Sequence, residues 1–97
     1  MTDPVDVTVS DNPAKSRYEA LVDGEVAGFV EYRIDGDAID MHHTEVSDAY
    51  EGKGVGSRLA KGALDAVRER GLSVIPTCPF IKRYIERHED YADLVQA

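Results

Sequence analysis

The chain has 97 residues, enough for one small domain over 1–97 whose core must also supply any active site. Nineteen acidic against 11 basic residues, a formal charge of -8, exclude a surface built to hold nucleic acid or anionic lipid, so an anion must be bound locally. A hydrophobic content of 42% with no low-complexity tract excludes disorder, the lone Cys78 excludes an internal disulfide, and apolar runs too short for a bilayer, behind a start lacking signal-peptide features, point to the cytoplasm.

In chain order, VDVTV at 5–9 alternates apolar and polar residues as a short strand before the breaker cluster SDNPAK. The segment from Arg17 to Val46 reads as three further strands, with Asp-Gly at 23–24 and 35–36 as tight hairpin turns. Apolar positions Val55, Leu59, Ala60, Ala63, Leu64 and Val67 then form a helical stripe ended by Gly71. LSVIPT at 72–77 is a continuously apolar strand, and CPFIKRYIERH at 78–88 a second helix with Pro79 in its first turn. One more helical turn is expected in the tail. The predicted fold is α+β: an antiparallel four-stranded meander followed by α-β-α, with a right-handed crossover making strands four and five parallel.

The glycine loop YEGKGVGSR at 50–58 precedes the long helix. Glycines there permit a tight bend and leave backbone N–H groups free to receive a phosphate, although a glycine triplet alone is more often a plain joint. Lys53 lacks the spacing of a Walker loop, and no dinucleotide fingerprint is present, so nucleotide hydrolysis and dinucleotide redox lose support.

The strand ending HHTEV, the loop GKGVG, the long helix, the short strand and the Cys-Pro helix start together resemble the GNAT superfamily of acyl-CoA-dependent N-acyltransferases. HTEV at 43–46, CPF at 78–80 and YIERH at 84–88 resemble its very short members in particular. The resemblance implies acetyl-CoA as cosubstrate, its pyrophosphate held by the loop and its pantetheine arm running beside Val46. It assigns cofactor contact to Val46, Gly52, Lys53, Gly54, Val55, Gly56, Ser57, Cys78 and Pro79. Glu51 departs from the family pattern, which has a neutral or basic side chain there, and a carboxylate facing the loop repels a pyrophosphate.

Acetyl transfer to an amine needs a group that removes a proton from the ammonium, donors for the thioester oxygen and an acid for the leaving thiolate. By the two-residue period of a strand, His43 and Glu45 share one face and are candidates for the base, His42 and Thr44 the other. Each also has a purely structural reading, His43 as a half-buried strand residue and Glu45 as a solvated carboxylate. Cys78 stands at a helix start, where the dipole favours the thiolate; in the short GNAT-like group this cysteine is suspected of meeting the thioester or accepting the acyl group. Tyr84 occupies the final helix, where many GNAT enzymes place the tyrosine that protonates the thiolate, but it also fits as a core aromatic. Phe80 and Ile81 are expected to pack that helix on the sheet, and Lys82 and Arg83 to lie at the surface or reach the adenosine phosphates. His42, His43, Cys78 and His88 show no metal-ligand spacing, and no metal is expected.

About ten residues separate the first two predicted strands, too few for the helices that cover the acceptor in larger GNAT enzymes, so an open cleft is expected. The function so implied is acetyl transfer to an unknown amine, a protein amine or a polyamine, by a monomer or weak homodimer with no nucleic-acid or membrane partner. A non-catalytic CoA- or acyl-CoA-binding module and a small interaction domain remain open at this point.

Overall fold

In the computed structural model the described residues are 6–50 and 54–95. Alternating burial builds the sheet: strand β2 (Arg17–Val22) buries Tyr18, Ala20 and Val22, while the residues between them face the other way. It pairs antiparallel with β1 (Thr8–Asn12) and β3 (Glu25–Asp35), and β3 pairs with β4 (Ala38–Val46), completing the expected meander. Helix α1 (Val55–Glu69) leads to the short strand β5 (Ser73–Ile75), which lies parallel to β4, and helix α2 (Pro79–Arg87) follows. Short 3-10 turns occupy Asp48–Tyr50 and Glu89–Leu94, the second being the expected turn in the tail.

Three boundaries differ from the sequence reading. β1 begins at Thr8, not near residue 5, and runs through Ser10, Asp11 and Asn12, which composition marked as breakers. Those side chains have partners: the Tyr32 hydroxyl donates to Asp11 at 2.7 Å and the Asn12 amide to Glu19 at 3.2 Å. β5 is only three residues long, because Leu72 still bonds back to Val67 at the end of α1 and Pro76 has no N–H for the ladder. At the second hairpin β3 continues through Asp35, so Gly36–Asp37 makes the turn.

Val55, Leu59, Ala60, Ala63, Leu64 and Val67 of α1, with Ile81 and Ile85 of α2, join Tyr18, Val30, Ile39, Met41 and Val74 in one buried core on one side of the sheet. Fully burying each of the Val, Leu, Ile and Met side chains among them contributes about 1.5–3 kcal/mol. The opposite face carries Arg17, Glu19, Phe29, Glu31, His43 and Glu45, and no helix of the described residues covers it. Arg17 closes over the Phe29 ring there at 4.3 Å. Only Pro13–Ser16 separates β1 from β2, which confirms that no covering helix is inserted at that point.

One irregularity sets the direction of the β4 side chains. Pairing steps from Glu31 with His43 to Tyr32 with Met41, so His42 is an extra residue on β4, a β-bulge. Ile39 and Met41 are therefore buried before the bulge, whereas after it Thr44 turns inward and His43 and Glu45 turn to the open face.

Candidate active site

The start of α1 is built to leave donors free. Gly54, its N-cap, sits at φ 77°, a left-handed conformation that glycine adopts without steric cost, and it offers no side chain to cap the helix. The first turn carries no acidic residue, and the first described backbone bond of the helix runs from Arg58 N–H to the Gly54 carbonyl at 3.1 Å. The N–H groups of Val55, Gly56 and Ser57 precede that bond in the first turn, where a helix has no acceptors of its own for its donors. Val55 is 1% exposed, so its side chain belongs to the core and only its backbone faces the loop. Gly52 and Lys53, and with them the direction of Glu51, lie outside the described residues.

Three elements meet at Gly56. A Cβ placed there falls 3.0 Å from Phe80 Cζ at the start of α2 and 3.6 Å from Val46 Cγ2 at the end of β4. Phe80 therefore lies against the first turn of α1 and is 39% exposed, whereas Ile81 alone makes the expected contact with the core. The helical period explains the difference, since adjacent residues on a helix face directions about 100° apart.

On β4, β5 reaches only Ala38, Ile39 and Asp40, so among the described residues β4 from His42 to Val46 has no strand neighbour on that side. Cys78 spans the start of this opening: its N–H donates to the Met41 carbonyl at 2.8 Å, and its Sγ lies 3.3 Å from Thr44 Oγ1. As expected Cys78 stands at a helix start, forming the N-cap of α2 with Pro79 as the next residue, but its side chain is buried against Thr44 rather than open to solvent. Nothing local in the sequence marks Thr44 for this contact, because the two residues are 34 positions apart.

On the open face His43 Nε2 lies 3.0 Å from Glu45 Oε2, so the two candidate bases form one pair, as the strand period predicts. Glu31 is the cross-strand partner of His43, and the Phe29 ring is 6.3 Å from the imidazole. With Nε2–H donating to Glu45, Nδ1 keeps a lone pair free to take a proton.

Tyr84 is placed elsewhere. Its ring stacks on His88 at 3.9 Å, and burial, the largest cause, raises its phenol above the usual range, opposed by Lys61 and reinforced by Asp65. With Ser57, Phe80, Arg83, Arg87 and His88 it lines a pocket of about 100 Å³ between α1 and α2. The structure thus brings together His43 with Glu45, and Cys78 with Thr44 and Met41, while Tyr84 neighbours Ser57. Among the described residues no cluster of three or more His, Cys, Asp or Glu forms a metal site, and no helix is long and apolar enough to cross a membrane.

The family model described as GCN5-related N-acetyl-transferase matches residues 17–94. Protein NATD1 of Gallus gallus is 46% identical over 50 residues, covering 52% of this chain and 46% of that protein. Protein NATD1 of Danio rerio is 36% identical over 59 residues, covering 59% of this chain and 54% of that protein. The chain therefore spans about half the length of the curated relatives it matches. The NMR solution structure of a GCN5-like protein from Staphylococcus aureus superimposes with a TM-score of 0.68 at 26% identity, covering 99% of this chain and 92% of that one.

Proposed function

This chain belongs to the GCN5-related N-acetyltransferase family, and on that premise we propose that it is a cytoplasmic enzyme that transfers an acetyl group from acetyl-CoA to an amine. The observation that carries the reading is a convergence: the uncapped start of α1, the unpaired stretch of β4 and Cys78 border one opening.

The residues present fit acetyl-CoA as a substrate. The N–H groups of Val55, Gly56 and Ser57 suit a pyrophosphate, because partial positive charge gathers at a helix start and no carboxylate of that first turn opposes it. Gly56 leaves room between Phe80 and Val46 that a side chain would fill. The free edge of β4 from Thr44 to Val46 suits the amides of a pantetheine arm laid beside it as an added strand. Acetyl-CoA supplies an acetyl group already activated as a thioester.

The residues of the chain then have separate duties. Cys78 meets the acyl end of the donor, and the Thr44 hydroxyl fixes the direction of its thiol. His43, oriented by Glu45, takes the proton that the acceptor ammonium must lose before its nitrogen attacks the thioester carbon; the C–S bond breaks as the N–C bond forms, and the departing CoA thiolate takes a proton from solvent. The acceptor approaches the uncovered face, where Glu31 and Glu45 favour a cationic amine and Phe29 offers an apolar wall. An uncovered face suits an amine carried on a protein better than a small metabolite that needs enclosure.

Titration of isotope-labelled protein with acetyl-CoA, followed by amide chemical shifts, tests the placement. The reading expects the largest shifts at Thr44–Val46, Gly54–Ser57 and Cys78. No shift at millimolar acetyl-CoA, or shifts confined to the β1 edge, sinks it.

A further inference from the structure

The uncovered face of the sheet sets its polar side chains in two rows that run across the strands. Asn12, Arg17, Glu31 and His43 stand opposite one another in the first row, and Ser10, Glu19, Phe29 and Glu45 in the second. Three carboxylates therefore surround Phe29 and His43, and two of them are engaged. Glu19 accepts the Arg17 Nε–H at 2.8 Å and the Asn12 amide at 3.2 Å, and Glu45 holds His43 at 3.0 Å. Arg17 is the cross-strand partner of Glu31, a position from which opposite charges ordinarily pair. Its guanidinium turns instead along its own strand to Glu19 and lies on the Phe29 ring, 4.3 Å from the centroid. The half-buried Glu31 is thus left without a side-chain partner among the described residues, although a cation stands directly opposite it.

On its other side Glu31 faces His43 across the strands, and side chains so placed have Cβ atoms about 4.5–5.5 Å apart. Because Glu45 occupies Nε2, Nδ1 is the nitrogen left to take a proton. An ammonium that donates one N–H to the Glu31 carboxylate lies beside that nitrogen with a second proton to give it. Phe29, two residues before Glu31 on the same face and 6.3 Å from the imidazole, offers the carbon chain behind the ammonium an apolar surface. We propose that Glu31 is the specificity-determining residue for the acceptor, binding the ammonium form of an alkylamine and passing over amines that are neutral at pH 7. This inference rests on the transfer reading above. One charge-assisted hydrogen bond in a partly solvated setting gives about a tenfold preference.

The test uses two peptides that differ in one side chain, a lysine and its aminooxy analogue, whose nitrogen is nucleophilic but uncharged at pH 7 where lysine is a cation. Steady-state acetylation at saturating acetyl-CoA is measured for the unmodified protein, Glu31→Gln and Glu31→Asp, with circular dichroism as the check on folding. In Glu31→Gln the KM for the lysine peptide should rise about tenfold, with kcat within about twofold and the KM for the aminooxy peptide unmoved. Glu31→Asp, which keeps the charge, should recover part of the loss. An equal change in KM for both peptides, or none for either, overturns the role of Glu31 while leaving the transfer reading intact. So does a fall in kcat alone, which would place Glu31 in the proton transfer, or an aminooxy KM as low as that of lysine in the unmodified protein. Absence of turnover with either peptide overturns the transfer reading and this inference with it.

Discussion

Gly54 and Gly56 are two residues apart in the same loop and are glycine for different physical reasons, which substitution separates. At Gly54 an added Cβ meets nothing within 4 Å, so the whole effect of Gly54→Ala comes from forcing an L-residue to φ 77°. That conformation costs roughly 1–2 kcal/mol, offset by about 0.4–1 kcal/mol from the smaller entropy of the unfolded alanine chain, for a net loss of about 1 kcal/mol. Asparagine tolerates the left-handed region, so Gly54→Asn should recover much of that loss. At Gly56 the backbone is ordinary helix, where alanine is favoured by about 1 kcal/mol. Against this gain stands the approach of 3.0 Å to Phe80 Cζ, the tip of a part-exposed ring that can swing aside. Gly56→Ala should therefore leave stability within about 0.5 kcal/mol of the starting value, because the crowding and propensity effects are of similar size. Its damage should fall instead on acetyl-CoA binding, since the new methyl and the displaced ring occupy the space between β4 and α2. Urea denaturation followed by circular dichroism gives the stabilities, and calorimetry the binding. The reasoning fails if Gly54→Ala is as stable as Gly54→Asn, or if Gly56→Ala loses more stability than Gly54→Ala.

His43→Gln should lower turnover by about 100-fold or more and Glu45→Gln by about tenfold, as expected for a base and the group that orients it; full turnover in His43→Gln across the pH range removes the proposed base. Burial first, and then the hydrogen bond to Asp11, raise the Tyr32 phenol from 10.0 to about 12. Since the folded state holds that proton more tightly, its contribution is complete below pH 10 and is lost as pH climbs toward 12, so denaturation curves should weaken over that window and Tyr32→Phe should flatten the decline. Identical pH slopes in the two proteins would show that Tyr32 is not responsible. A Cβ at Gly62 would fall 2.6 Å from Val9 Cβ on β1. Despite alanine's better helix propensity, Gly62→Ala should cost about 1–3 kcal/mol and speed hydrogen exchange in β1; a stabilised variant with an unchanged β1 contradicts the packing.

The elements legible in the sequence were those with local causes. Asp23 and Gly24 both adopt positive φ, at 52° and 80°, which is the backbone of the tight hairpin that the Asp-Gly pair announced. The stripe of α1 from Val55 to Val67 likewise needed nothing beyond its own spacing. The first strand was misplaced because the partners that keep Asp11 and Asn12 extended, Tyr32 and Glu19, are 21 and 7 residues away in sequence. The bulge at His42 left no local mark; the pairing of His43 with Glu45 was still legible because both residues lie beyond it and keep the same period. Cys78 was visible as a lone thiol before a helix, whereas its contact with Thr44, 34 residues earlier, depends on β5 ending early enough for the chain to cross to β4. Apolarity alone points Phe80 to the core, and only the close approach of α2 to Gly56 reveals its place against the first turn of α1.

The central claim is acetyl transfer to an amine, and its most direct measurement is release of the CoA thiol from acetyl-CoA in the presence and absence of lysine-bearing peptides, with acetylated peptide counted by mass spectrometry. The account predicts acceptor-dependent thiol release matched mole for mole by N-acetylated peptide, and its loss in His43→Gln. Tight acetyl-CoA binding with no acceptor-dependent release from any basic peptide or polyamine would contradict it and leave a CoA-binding module in its place.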